Sequence, residues 1–127
     1  MARKKQPPIS AADKRVIGTL LRELRRAAGY RSVDKAAEVT SCPSSRPTIY
    51  AYERGGLVPS LAQFLELAEF YVLEAPLDGP GAKSEADLRT LGVAAVTRAL
   101  ALPAYHVVGA NDLIARMQPS LGGSPSR

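Results

Sequence analysis

The amino-acid sequence predicts an all-α protein. Apolar residues recur at three- and four-residue spacing in segment after segment, no stretch alternates convincingly with period two, and Ser, Pro and Gly fall where helices would start and stop. The 127 residues allow one ordinary domain or two very small ones. Trp is absent, and five Tyr and two Phe are the only aromatics besides His, so the core is expected to be mostly aliphatic.

Ser10-Ala11-Ala12-Asp13 resembles a capping box with Asp in place of Glu or Gln. After it, Val16/Ile17, Leu20/Leu21, Leu24 and Ala27/Ala28 form one apolar stripe, which predicts a first helix ending at Gly29. Ser32 can cap a short second helix from Val33 to Val39, and Thr40 to Ser45 reads as a turn. A third helix is expected near Arg46-Pro47, since Pro suits a first turn, ending at Gly55-Gly56. Pro59-Ser60 opens a fourth, striped by Leu61, Phe64, Leu65, Ala68 and Val72 and running to about Glu74. Ala75 to Ala82 holds two Pro and two Gly and no helical period, which predicts a linker, at 75–83, dividing the chain. Ser84-Glu85-Ala86-Asp87 then caps a helix with Leu88, Leu91, Ala95, Ala99 and Leu102 on one face. Pro103 to His106 is expected to turn, Val107, Ala110, Leu113/Ile114 and Met117 to form a last helix, and 118–127 to be a disordered tail.

Charge is distributed unevenly. Residues 1–58 carry a net +7, residues 59–82 a net −4 with no base, and residues 83–127 a net +2. A basic first half suits a polyanion, because phosphate neutralisation releases counterions; a solvated basic surface is the plainer alternative. One cysteine, Cys42, excludes an internal disulfide framework and fits a reducing compartment. The longest uncharged run, Ala99 to Asn111, is thirteen residues broken by Pro103, short of the roughly 20 a membrane span needs. A soluble, cytoplasmic protein is expected. His106 is the only histidine, so no His/Cys metal cluster, no recognisable triad and no phosphate-cradling glycine motif can be assembled, and neither enzyme activity nor a cofactor is expected.

The order of helix, short helix, turn, short helix, Glu-x-Gly and Pro-Ser-Leu resembles the phage-repressor helix-turn-helix family, the Cro/repressor or XRE type. Leu21-Arg22-x-Leu24-Arg25-x-Ala27-x-Gly29, Ser32 with Ala36-Ala37, Thr48-Ile49-Tyr50-Ala51-Tyr52-Glu53-Arg54-Gly55, Pro59-Ser60-Leu61 and Leu65-x-Leu67-Ala68 carry the likeness. It covers roughly Ile17 to Leu73. From Ser32 to Glu53 the chain is about two residues longer than the family pattern, the extra length falling at Ser41 to Ser45, and the family's turn glycine is missing. The resemblance implies a helix-turn-helix domain at 10–74; the residue pattern adds a basic arm at 1–9 and, beyond the linker, a small helical module at 84–117.

The resemblance places base reading at the start of the third helix, on Ser45, Arg46 and Pro47, with Tyr50 and Ala51 one turn later. Arg46 is the strongest candidate, because its planar fork fits guanine O6 and N7; a phosphate contact is the alternative. Phosphate contacts fall to Arg31 and Ser32 at the start of the second helix, to Thr48 and to Arg54. Arg25 and Glu53 match a family ion pair joining helices one and three, while Ile49 and Tyr52 read as packing residues. Arg3, Lys4 and Lys5 form an amino-terminal arm able to follow a groove or to stay free.

For the second half two readings stand. Its helices either pair with another subunit on a palindromic site, or form a second DNA-contact module with Lys83, Arg89, Arg98, His106, Asn111 and Arg116, letting a monomer read a longer asymmetric site. The second is slightly favoured. The resemblance implies a double-stranded DNA partner and a transcriptional repressor, like the small immunity repressors of temperate actinobacteriophages that block lytic promoters. A homodimeric chromosomal regulator or an antitoxin-like protein-interaction module are the alternatives.

Overall fold

The structure is a computed structural model that describes residues 9–105. Residues 1–8 of the expected arm at 1–9, His106, the last helix expected at 107–117 and the tail expected at 118–127 lie outside the described residues. Within them the chain is helical, with no strand: α1 (Ala11–Ala28), α2 (Val33–Ala37), α3 (Arg46–Glu53), α4 (Leu61–Leu73), α5 (Glu85–Leu100) and a single turn α6 (Pro103–Tyr105).

A serine starts each of the first five helices. Ser10, Ser32, Ser45, Ser60 and Ser84 hold extended backbone angles, and each side-chain oxygen accepts the N–H three residues on. An oxygen at this place satisfies one of the donors a helix start leaves without a partner. At Ser60 the cap is reciprocal, since the Gln63 side chain accepts the Ser60 N–H at 2.8 Å. α2 is two residues shorter than its expected end at Val39: the N–H of Val39 bonds back to Ala36 and that of Cys42 to Val39, three residues each, so the chain tightens out of the α geometry. α3 likewise ends at Glu53, ahead of the expected glycines, with Gly55 at φ 80° making the turn away.

α1 is the central element, packing against α3, α4 and α5. Its two sides serve different partners. Gly18 lies so close to α3 that a Cβ there would come 2.5 Å from the Tyr52 carbonyl oxygen, whereas Ala12, Val16 and Thr19 border a hollow shared with Arg98 of α5. At 3.6 residues per turn these two faces are roughly 130° apart around α1. The core is one cluster containing Ile17, Leu21, Leu24, Ile49, Phe64, Leu67 and Tyr71 together with Leu88, Ala95, Ala99 and Tyr105.

That last group corrects the expected division of the chain. The segment at 75–83 is not a free linker between two bodies but a strap across the end of α1. The Leu77 N–H donates to the Ala28 carbonyl at 2.9 Å and the Lys83 N–H to the Ala27 carbonyl at 2.8 Å, so two of the carbonyls that α1 leaves over are satisfied from the strap. Gly29 makes the crossing possible: it caps α1 at φ 103°, and a Cβ there would fall 2.6 Å from the Asp78 nitrogen. Leu77 takes a left-handed φ of 54°, a conformation that costs a non-glycine residue about 1 kcal/mol or more. Beyond the strap, α5 buries Leu88, Ala95 and Ala99 and half-buries Leu91, and Leu102 is half-buried just past its end. The turn expected at Pro103 to His106 opens with α6, where the Ala104 N–H donates to Asp13 Oδ2 at 3.2 Å and the Tyr105 hydroxyl to the Pro59 carbonyl at 2.9 Å. The far end of the described chain is thereby tied to the starts of α1 and α4.

Candidate nucleic-acid interface

α3 owes its position to a buried ion pair. Arg25 of α1 presents Nε to Glu53 Oε2 at 2.8 Å and Nη2 to Oε1 at 3.1 Å, and its Nη1 donates to the Tyr30 carbonyl at 3.0 Å. Both side chains are over nine-tenths buried, and the two-point geometry fixes direction as well as distance. Gly18 lets the α3 backbone come against α1, and Ile49 and Tyr52 bury the inner face of α3. The outer face is thereby turned to solvent.

On that outer face Arg46 and Pro47 are exposed in the first turn, Tyr50 is exposed one turn later, and Ala51 is half-buried. Ser45 is occupied by its own helix: its oxygen accepts the Thr48 N–H at 3.4 Å and its hydroxyl donates to Thr48 Oγ1 at 2.9 Å. Ser45 and Thr48 therefore form a local pair at the helix start, and Arg46, Pro47 and Tyr50 are the side chains most fully presented. Asp34 of α2, which sequence reasoning did not single out, lies among them. Its Oδ1 is 3.6 Å from Arg46 Nη1 and 3.4 Å from the Tyr50 hydroxyl. In the sequence an acid at this place reads only as a favourable charge in the first turn of a helix.

The other basic candidates divide. Arg54 is exposed at the end of α3. Arg31 is exposed but leans on the strap, where a Cβ at Gly79 would come within 3.2 Å of its Nε, and it lines a hollow with Arg26, Asp78 and Gly81. Ser32 caps α2 through the Lys35 N–H at 3.1 Å, and α2, five residues long, offers less helix dipole than its sequence suggests. Of the second-half candidates, Arg89 borders a groove between α4 and α5 and pairs with Glu85 at 3.2 Å, Arg98 lies against the face of α1 turned from α3, and Lys83 belongs to the strap. α5 is packed into the α1–α4 core, so Arg89 and Arg98 stand on the same body as α3 rather than on a separate one, with Lys83 in the strap. His106, Asn111, Arg116, Arg3, Lys4 and Lys5 lie outside the described residues.

Cys42 is half-buried, and burial pushes its thiol above its ordinary value. Among the described residues no group of His, Cys, Asp and Glu could hold a metal ion, and no helix is long and apolar enough to cross a membrane.

The arrangement of short α2, turn and α3, with α3 braced on α1 and polar outward, is matched by a protein-family model described as a helix-turn-helix domain over residues 16–77. Residues 16–77 are similar to that domain. No curated protein matches the chain, and no solved structure does. The domain as matched begins within α1 and ends in the strap, so α5 and α6 lie beyond it although they complete its core.

Proposed function

We propose that the chain is a sequence-specific double-stranded DNA-binding repressor that acts by occupying promoter or operator DNA. The observation that carries this reading is the outward face of α3, which presents Arg46, Pro47 and Tyr50 in solvent while the buried Arg25–Glu53 pair holds the helix in place. A recognition helix of this kind enters a major groove about 12 Å wide with its N-terminal residues toward the base edges. Arg46 then reads a guanine, Tyr50 contacts a neighbouring base or sugar, and Arg54 and Thr48 meet phosphates and set the register. In the phage setting that the sequence resembles, occlusion of this sort silences lytic promoters and confers immunity.

Selection of binding sites from random duplex DNA with the full chain tests the reading. An enriched site, bound with a log–log salt slope of about −4 to −5 as expected for about five phosphates, supports it; no enrichment together with salt-insensitive association to protein overturns it. Arg46→Ala is expected to remove about 1–3 kcal/mol of discrimination at one base pair while leaving weak binding to unrelated DNA nearly intact. Arg54→Ala is expected to weaken all sequences alike and to flatten the salt slope by about 0.9.

A further inference from the structure

The strongest unassigned feature on the α3 face is an acid where a polyanion is expected to dock. Asp34 stands in the first turn of α2 and reaches across to α3, with one carboxylate oxygen facing both Arg46 Nη1 at 3.6 Å and the Tyr50 hydroxyl at 3.4 Å. The Asp34 and Arg46 side chains are 48% and 60% exposed, so solvent and any docked ligand reach both. Its neighbours Arg46 and Tyr50 are the two most exposed long side chains that α3 turns outward.

We infer that Asp34 is a specificity-determining positioning residue, which orients Arg46 and Tyr50 and discriminates against phosphate. The inference rests on the DNA-binding reading above. A free Arg46 would be a long, rotamer-rich cation able to settle on any phosphate, which yields affinity without sequence information. With Asp34 beside it, a phosphate drawn to Arg46 also meets a carboxylate of its own sign, and it must displace the ion pair to gain the contact. A guanine edge presents O6 and N7, neutral acceptors with no net charge to be repelled, and Arg46 can offer its outer N–H groups while Nη1 stays near Asp34. Asp34 therefore lowers binding to unrelated DNA more than binding to the cognate site. The shared oxygen also links Arg46 to Tyr50, so the two side chains are oriented together at residue positions one turn apart.

Because the pair is exposed, its effect is modest and is read best as a ratio. Cognate and scrambled duplexes would be titrated with the full-length protein and with Asp34→Asn, which keeps the shape and removes the charge, and Asp34→Glu, which keeps the charge. Asp34→Asn is expected to tighten binding to scrambled DNA about three- to fivefold, to change cognate binding less, and to make the salt slope on scrambled DNA steeper by about 0.9 as Arg46 gains a phosphate. Asp34→Glu should restore most of the discrimination. In an Arg46→Ala background, Asp34→Asn should leave the cognate-to-scrambled ratio unchanged, since the residue acts through Arg46.

If Asp34→Asn tightens cognate and scrambled DNA equally, Asp34 is only a general repulsive charge and the positioning role is overturned. If it weakens both, the carboxylate serves the fold of α2 rather than recognition, and a melting temperature lowered in parallel would identify that outcome. Should the wild-type chain show no preference for any duplex, the DNA-binding reading itself fails, a result distinct from a selective protein whose selectivity ignores Asp34.

Discussion

Two surfaces of the molecule are exposed in opposite ways. The α3 face presents Arg46, Pro47 and Tyr50, and what holds it is electrostatic: a buried guanidinium–carboxylate pair beneath and an exposed carboxylate beside. The groove between α4 and α5 is lined mainly by Leu65, Ala68, Val72, Leu73, Val93 and Val96, with Leu73 64% and Val93 69% exposed, and what holds it is the Val72 side chain packed against Gly92. The difference teaches that one core can present a face whose properties change with salt and another that is indifferent to it. It also shows where the fold tolerates change, since α3 meets α1 backbone to backbone while α5 meets α4 through a side-chain methyl.

The most severe test of that contrast removes the brace. Glu53→Ala would leave Arg25 buried with its charge unpaired, and a loss of about 3–5 kcal/mol is expected, measurable by urea unfolding. A loss under about 1 kcal/mol would mean that Arg25 finds water or the Tyr30 carbonyl sufficient, and that α3 is held by packing alone. A pair of glycine substitutions comes next. Gly18→Ala places a methyl 2.5 Å from the Tyr52 oxygen and 2.7 Å from the Glu53 oxygen, atoms that move only with α3 itself. Overpacking of this kind costs about 1–3 kcal/mol and exceeds the gain of up to about 1 kcal/mol from helix propensity. At Gly92 the obstacle is Val72 Cγ2 at 2.7 Å, beside an open groove into which a side chain can shift, so Gly92→Ala should stay within about 1 kcal/mol of wild type. Equal losses at both glycines would erase the distinction between the seams.

A smaller effect concerns Tyr71, whose buried hydroxyl has no hydrogen-bond partner among the described residues. Tyr71→Phe should therefore stabilise the protein, by about 1 kcal/mol, as a buried polar group without a partner is removed. The same site sets a pH dependence. Burial first, then the nearby Glu53 charge, push the Tyr71 hydroxyl well above 10.0, its ordinary value, and burial raises Tyr105 too. The unfolded chain then releases these protons first, so the stability they contribute is fully present below pH 10 and is lost as pH rises beyond it. Urea midpoints at neutral pH and at pH near 10.5 should fall for wild type and fall less for Tyr71→Phe.

Much of this was legible along the chain because the signals are local. Ser10, Ser32, Ser45, Ser60 and Ser84 each announce a helix through a contact three residues away, and the stripe of Leu20, Leu24 and Ala28 shows which side of α1 is buried. The strap was misread because Pro76, Gly79, Pro80 and Gly81 describe a chain that is not helical without saying whether its N–H groups meet water or the end of α1. Asp34 was passed over for a related reason: its carboxylate matters through Arg46 and Tyr50, twelve and sixteen residues away, and no spacing rule joins a residue of one helix to the outer face of the next.

The contact between Ala104 and Asp13, 91 positions apart, has a consequence for synthesis. The first helix leaves the ribosome with its apolar side uncovered, and α5 and α6, which cover part of it, follow only after most of the chain has been made. At the usual 5–20 residues per second, that interval is about 5–20 s. α3 can be in place during this delay while the flank of α1 that α5 will occupy stays open, a transient window in which a chaperone, a protease or another nascent copy meets the protein before α5 and α6 arrive.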